Sequence, residues 1–167
     1  MNCEPKLYVL GIDTGSVETG VCLIERRTCK PLFFGKTNNN ELFSFFANIK
    51  EYLNDCEIAY EQFKNYGMPM GDSTINSIQW NGRILQHLIE NYVEEKYVYP
   101  IMRVEEKMHI CNSMKAKDSN IRQALIDRFG EVGTKKNPGF FYGFKKDVWS
   151  AFAVAITHIS KQEQREV

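Results

Sequence analysis

The chain has 167 residues, 43% of them hydrophobic and 13% aromatic, and its 21 Lys/Arg balance its 21 Asp/Glu. That length carries one full hydrophobic core and is short for two, so residues 1–167 read as a single domain, and the composition excludes disorder. No stretch approaches a membrane span and no N-terminal run resembles a signal peptide, so the expected location is the cytoplasm.

Lys6–Asp13 alternates and then runs apolar, as a central strand does. It ends on a carboxylate, within Val9-Leu10-Gly11-Ile12-Asp13-Thr14-Gly15-Ser16. A buried strand rarely ends on a charge, because an unpaired buried carboxylate is costly. Two readings compete here. Asp13 caps a hairpin through an Asx-type turn, or the glycines let a metal or a phosphate approach its charge. Thr19–Arg26 reads as a second strand and Pro31–Lys36 as a third, with a turn at Thr28-Cys29-Lys30. Asn38, Asn39 and Asn40 offer an N-cap to a helix from Glu41 to about Asn54, whose Leu42, Phe45, Phe46, Ile49 and Leu53 share a face.

Glu57–Gln62 is a short fourth strand that again ends on a carboxylate, Glu61. A Gly/Pro/Met loop over Asn65–Gly71 leads to Asp72-Ser73, the start of a long helix reaching about Lys96. Tyr97–Val104 reads as a fifth strand. Asp118-Ser119 caps a helix that runs through Phe129 and is ended by Gly130. After a Gly/Pro/Lys loop over 131–143, a last helix covers about Lys146–Ser160 and is apolar over most of its surface. The order predicts an α/β fold. Its five-stranded mixed sheet opens with a three-strand antiparallel meander and adds parallel strands through helical crossovers, with helices on both faces.

Asp13, Glu61 and Asp147 each interrupt an apolar context. If strands one and four are parallel neighbours, Asp13 and Glu61 meet at the carboxyl edge of the sheet, where open α/β folds place ligands. Converging carboxylates repel one another unless a cation neutralises them, and oxygen donors suit Mg²⁺ or Mn²⁺. Two such ions about 4 Å apart activate water and stabilise a leaving oxygen in phosphodiester hydrolysis. Each acid also has an ordinary alternative: a turn cap for Asp13, a lysine partner for Glu61, a helix N-cap for Asp147.

The charge is unevenly spread. Residues 107–147 hold nine Lys/Arg against four acids, a basic face suited to a polyanion. Cys3, Cys22, Cys29, Cys56 and Cys111 are odd in number and scattered, so they read as reduced thiols. His158 reads as a core or helix-end histidine, and His87 and His109 have no partner at ligand spacing.

Four stretches, in order, resemble the RuvC group of Holliday-junction resolvases within the ribonuclease H-like fold, especially its short bacteriophage-type members. They are Gly11-Ile12-Asp13 with Thr19-Gly20, and Ala59-Tyr60-Glu61-Gln62 with Asp72 to Gly82. The basic run Val104 to Asp118 and the segment Asp147 to His158 complete the set. The resemblance implies a Mg²⁺-dependent endonuclease, with Mn²⁺ able to substitute and two ions per site, that cuts four-way or related branched DNA as a homodimer. It places the metal-binding catalytic acids on Asp13, Glu61 and Asp147. It departs from the family at Ser150, where a second acid is common in the last helix. Lys107, Lys115 and Lys117 fall where the family's phosphate-contacting lysines lie. Lys145 stands beside Asp147, and Phe63 and Tyr66 lie where an aromatic is associated with disturbing base pairing at the crossover. Trp80 and Ile84 lie on the helix implied to form the dimer interface.

Three other readings stay open. One is a ribonuclease H-like nuclease acting on RNA or other branched DNA. Another is a catalytically weak junction-binding module. The third is an actin-like ATPase or kinase fragment, since Asp13-x-Gly15 with Thr19-Gly20 also resembles that phosphate-binding turn.

Overall fold

A computed structural model describes residues 4–165, so Cys3 lies outside the described residues. The β1 (Tyr8–Thr14), β2 (Glu18–Glu25) and β3 (Pro31–Asn38) strands form an antiparallel meander, and β4 (Cys56–Glu61) and β5 (Val98–Ile101) extend it in parallel on the other side of β1. The sheet order is β3-β2-β1-β4-β5. The expected five-stranded mixed sheet is therefore present, with β1 at its centre.

Alternation along the three central strands, β2, β1 and β4, separates two cores. Val9, Cys22, Ile24 and Ala59 face one side, and Leu10, Ile12, Val21, Leu23 and Ile58 face the other. Both sets are buried, which is why these strands read as near-continuous apolar runs. On one face lie α1 (Leu42–Asn48), α2 (Lys50–Leu53) and α3 (Asp72–Asn91), through Leu42, Phe46, Leu53, Ile84 and Leu88. The opposite face is covered by α6 (Lys146–Glu163), with α4 (Arg103–Cys111) and α5 (Asp118–Phe129) packed around it. Helices thus cover both faces, as expected.

The structure corrects several boundaries. The helix expected over 41–54 breaks at Ile49 into α1 and α2. The long helix stops at Asn91, and Glu95–Tyr97 forms a separate 3₁₀ turn. β5 ends at Ile101 rather than Val104. Pro100 offers no N–H to a further neighbour, so it suits this edge position, and from the Met102 cap the chain turns directly into α4, which the sequence reading missed. The long helix does begin at Asp72, with Gly71 at the cap position. Asp118 does not cap its helix: Lys117 holds the cap position in extended backbone, with Asp118 in the first turn. The Asn run does not cap α1 either. Asn39 is fully buried, where it accepts from the Thr19 hydroxyl at 2.7 Å and donates to the Gly15 carbonyl at 3.0 Å. It pins the β1–β2 turn.

Buried on nearly every side, α6 lies on the sheet across two glycines. A Cβ built on Gly11 would stand 1.9 Å from the Ala151 carbonyl oxygen, and one on Gly20 would stand 2.4 Å from that of Asp147. No other residue type lets helix backbone approach strand backbone this closely. At its far end α6 is tied down by polar contacts. His158 Nε2 lies 2.5 Å from a Glu57 carboxylate oxygen that also pairs with Arg26, and Arg26 donates to Gln162 at 2.7 Å. His158 is therefore a core histidine. Cys22, Cys29, Cys56 and Cys111 are all free thiols. Among the described residues no helix is long and apolar enough to cross a membrane.

The β3 edge of the sheet is less well covered. Leu32, Phe33 and Phe34 are each more than a third exposed, although Phe33 meets Tyr52 and Phe34 meets Phe144 edge-on or tilted.

Gly11→Ala is expected to lower stability by about 1–3 kcal/mol or more, since helix or strand must shift to admit the methyl group. Gly82→Ala, in α3 with open space around it, is expected to gain up to about 1 kcal/mol from helix propensity. Urea midpoints of the two variants check this, and equal midpoints would refute the close-approach account.

Candidate functional site

The registry of β1 and β4 brings the first two acids together. Ile12 pairs with Tyr60 in the parallel ladder, so Asp13 and Glu61, the next residues on each strand, leave the same edge of the sheet side by side. Neighbouring positions on paired strands put the two carboxyl groups within each other's electrostatic reach. Burial, and then the charges of Glu61 and Asp147, push the Asp13 carboxyl up to about 7, against the weaker pull of Arg103 and the Ser150 hydroxyl. Glu61 is raised as well, chiefly by burial, with Arg103 opposing. The pair is short of positive charge.

Asp147 reaches this edge from α6. Lys145 is the cap of that helix, so Asp147 is a first-turn residue rather than the N-cap. Its position follows from Gly20, on which its own backbone rests, and Gly20 is the β2 partner of Asp13. One Asp147 oxygen accepts from Lys36 at 2.7 Å, and Lys36 also meets Glu18 at 3.0 Å. These bonds to Asp147 and Glu18 hold the Lys36 ammonium well above the ordinary lysine range. Asp13, Gly15, Ser16, Glu18, Lys36 and Asp147 line an open cleft of about 290 Å³. Asp147 thus shares the cleft and the field of Asp13, but its carboxylate is already matched by a lysine. Among the described residues no group of three or more His, Cys, Asp or Glu side chains stands close enough to hold a metal ion. The close pair is Asp13 with Glu61.

Arg103 escaped sequence reasoning because its segment was taken for strand. It opens α4 and bonds Glu106 at 2.5 Å with one nitrogen and Asp118 with another. Glu106 is fully buried with one oxygen unpartnered, and burial pushes its carboxyl up to about 8. Glu61 feels the charges of both Arg103 and Asp118. Asp118, expected to be a helix cap, is instead an ion-pair partner at the margin of the site. The signal was present in Met102-Arg103-Val104-Glu105-Glu106. A Glu at the third helical position returns to the Met102 N–H at 2.7 Å, and Arg103 and Glu106 are spaced i,i+3.

The expected nucleic-acid contacts are more scattered. Lys107 is half-buried on α4, while Lys115, Lys117 and Lys145 are exposed, the first two between α4 and α5 and the third just before α6. Phe63 is half-buried. Tyr66 is 71% exposed in the β4–α3 loop, where the Lys64 ammonium lies over its ring.

No family model matches the chain, and no curated protein sequence matches it. The fold does have solved counterparts. A Thermus thermophilus RuvC in complex with a Holliday junction substrate superposes with a TM-score of 0.70 at 15% identity, covering 95% of this chain and 96% of that one. A second structure of T. thermophilus RuvC gives a TM-score of 0.67 at 18% identity over the same shares of the two chains. The chain has the RuvC-type, ribonuclease H-like fold.

The raised Asp13 carboxyl has a measurable consequence in chelator. Its folded value lies above its unfolded value of 3.8, so its contribution to stability is greatest below about pH 4 and is lost as pH rises through about 7. Asp13→Asn is expected to match wild type near pH 4. Near pH 8 it should be more stable by a few kcal/mol, at about 1.4 kcal/mol per pH unit of displacement. Thermal melts in EDTA at both pH values test this, and a variant that gains nothing on alkalinisation would contradict it.

Proposed function

We propose that the chain is a metal-dependent endonuclease that resolves four-way (Holliday) or related branched DNA junctions by phosphodiester hydrolysis, working as a single nuclease domain in the cytoplasm. One observation carries the reading. The Asp13–Glu61 carboxyl pair stands at the carboxyl edge of two parallel strands, on the fold of a RuvC that is known bound to a Holliday junction substrate. Lysines on the adjoining α4–α5 segment add affinity for DNA phosphates, affinity that weakens with salt.

The donor set fits a hard cation. Asp13 and Glu61 present only carboxylate oxygens, and a divalent ion would offset the burial and the repulsion from Glu61 and Asp147 that raise Asp13. Mg²⁺ is assigned to this pair, with Mn²⁺ able to substitute. When bound, the metal supplies an activated water and stabilisation of the leaving oxygen. Asp13 and Glu61 would hold the ion as carboxylates. Asp147 would join them only with Lys36 displaced, for which a DNA phosphate is the natural competitor. The Ser150 hydroxyl is a poor replacement for a carboxylate, so a second ion would be held more weakly. Arg103 fixes Asp118 and Glu106 and keeps Glu61 from facing uncompensated acids.

Lys107, Lys115, Lys117 and Lys145 hold the backbone of the junction arms, and Phe63 and Tyr66 stack on an unpaired base at the crossover. Symmetric cutting of two strands needs two sites related by a two-fold axis, so the working unit is a homodimer. The exposed face of α3, with Ile75 and Ile78 each more than a third exposed, is assigned to its interface.

Asp13→Asn and Glu61→Gln are each expected to abolish cutting of a synthetic four-way junction in Mg²⁺ or Mn²⁺, a loss of at least about 10³-fold, while retaining junction binding in gel shifts. Linear duplex should be cut far more slowly than junction. Equal rates on the two substrates would defeat the resolvase assignment, undiminished cutting by both variants would defeat the metal site, and tight junction binding with no cutting would leave a binding module.

A further inference from the structure

A second cavity, of about 310 Å³, opens between α5 and α6 beside the acidic centre, at the lower end of the size range of small-molecule sites. Ser150 lines this cavity from α6, one helical turn on from Asp147 of the acidic edge. The floor is apolar, formed by Leu125, Phe144 and Trp149, the last only 8% exposed. The rim is cationic. The exposed Arg122 guanidinium lies 4.8 Å from the centre of the Trp149 ring, and Lys145 and Lys146 stand at the start of α6. Among the described residues no acid forms an ion pair with Arg122, Lys145 or Lys146. The one carboxylate at the rim, Asp118, is held by Arg103.

Two helices of 12 and 18 residues, α5 and α6, begin at this cavity. Their first-turn N–H groups and dipoles add positive potential to that of the three unpaired cations. A flat aromatic and guanidinium platform under a phosphate-sized ring of positive charge is the chemistry of a nucleotide site. Acidic peptides would meet the same charge but have no use for a stacking platform.

We propose that the α5–α6 cavity is a nucleotide pocket that holds one unpaired nucleotide of a DNA strand, with its phosphate at the paired helix starts and its base against the Arg122–Trp149 stack. That the nucleotide belongs to the strand being cut rests on the nuclease reading above; the pocket itself does not. Its place beside Ser150 lets an occupant orient the neighbouring phosphate toward Asp13 and Glu61.

The test is ¹⁵N-indole NMR of the full chain in EDTA, titrated with a single-stranded deoxythymidine tetranucleotide. The Trp149 indole N–H is expected to shift on titration, while that of Trp80, on the opposite face of the sheet, stays in place. Arg122→Ala and Lys146→Ala, both at exposed positions, should weaken this response about tenfold or more. Thymidine without phosphate, or inorganic phosphate alone, should produce a much weaker shift. No Trp149 shift in a chain that cuts junctions would overturn the pocket and leave the nuclease standing. Unchanged affinity in both variants would overturn it as well. A specific Trp149 response in a chain that cuts no DNA would support the pocket and defeat the nuclease reading.

Discussion

Everything at the acidic edge of the sheet depends on how closely one helix sits on two strands. Where α6 crosses β1 and β2, Gly11 and Gly20 leave no side chain between the backbones, and the carbonyls of Ala151 and Asp147 fill the space. Helix–sheet packing through ordinary side chains would hold α6 farther away. Asp147 and Ser150 would then not share a field with Asp13. The same contact explains why α6 is apolar on almost every side: it is enclosed by the sheet below and by α4 and α5 around it. The far end of the helix is anchored independently through His158 and Gln162, so its angle across the sheet is set at both ends.

Given that seat, the electrostatics of the edge follow. Three carboxylates are drawn into one region, and the chain compensates them from opposite sides. Lys36 comes from the outer strand to Asp147, and Arg103 comes from α4 toward Glu61. Asp13 receives only the weaker pull of Arg103 and the Ser150 hydroxyl, so burial and then the charges of Glu61 and Asp147 hold its carboxyl up at about 7. A structural ion-pair network would spread its charges to minimise such a residue. A buried, raised carboxyl on the central strand is the feature on which the proposed metal site rests. The Glu106 carboxyl, fully buried with one oxygen unpartnered, is raised by burial and by the charges of Glu61 and Asp13 against the pull of Arg103.

The sheet and the two strand-end acids were legible in the sequence, because a buried strand that ends on Asp or Glu breaks a strong pattern. The antiparallel start and parallel continuation also followed from the order of strands and helices. Helix beginnings were less readable. Asp118 and Asp147 both suggested caps, yet each falls within the first turn, where the helix dipole favours an acid almost as well as the cap position does. The choice between the two depends on where the backbone leaves the extended region, which side-chain type alone does not decide. Arg103 was hidden for a related reason. Tyr97–Val104 is rich in strand-forming residues, and Pro100, which can sit on an edge strand as easily as beyond its end, did not mark the stop. Asn39 was misread because its partners, Thr19 and Gly15, are distant in sequence and only the folded turn brings them near.

The outer strand β3 has a consequence for handling the protein. It is eight residues long, lies at the edge of the sheet, and carries three apolar side chains that are each more than a third exposed. Unpaired edge backbone beside exposed apolar surface invites strand-to-strand association between molecules. Lys36 is the only charged residue in that strand, and an edge lysine is one of the devices that discourage such pairing. One ammonium group therefore serves two ends: it neutralises Asp147, and it keeps the sheet from growing into its neighbours. A neutral replacement at Lys36 changes colloidal behaviour along with the reactive edge, so lost activity in such a variant has meaning only beside a measure of its aggregation.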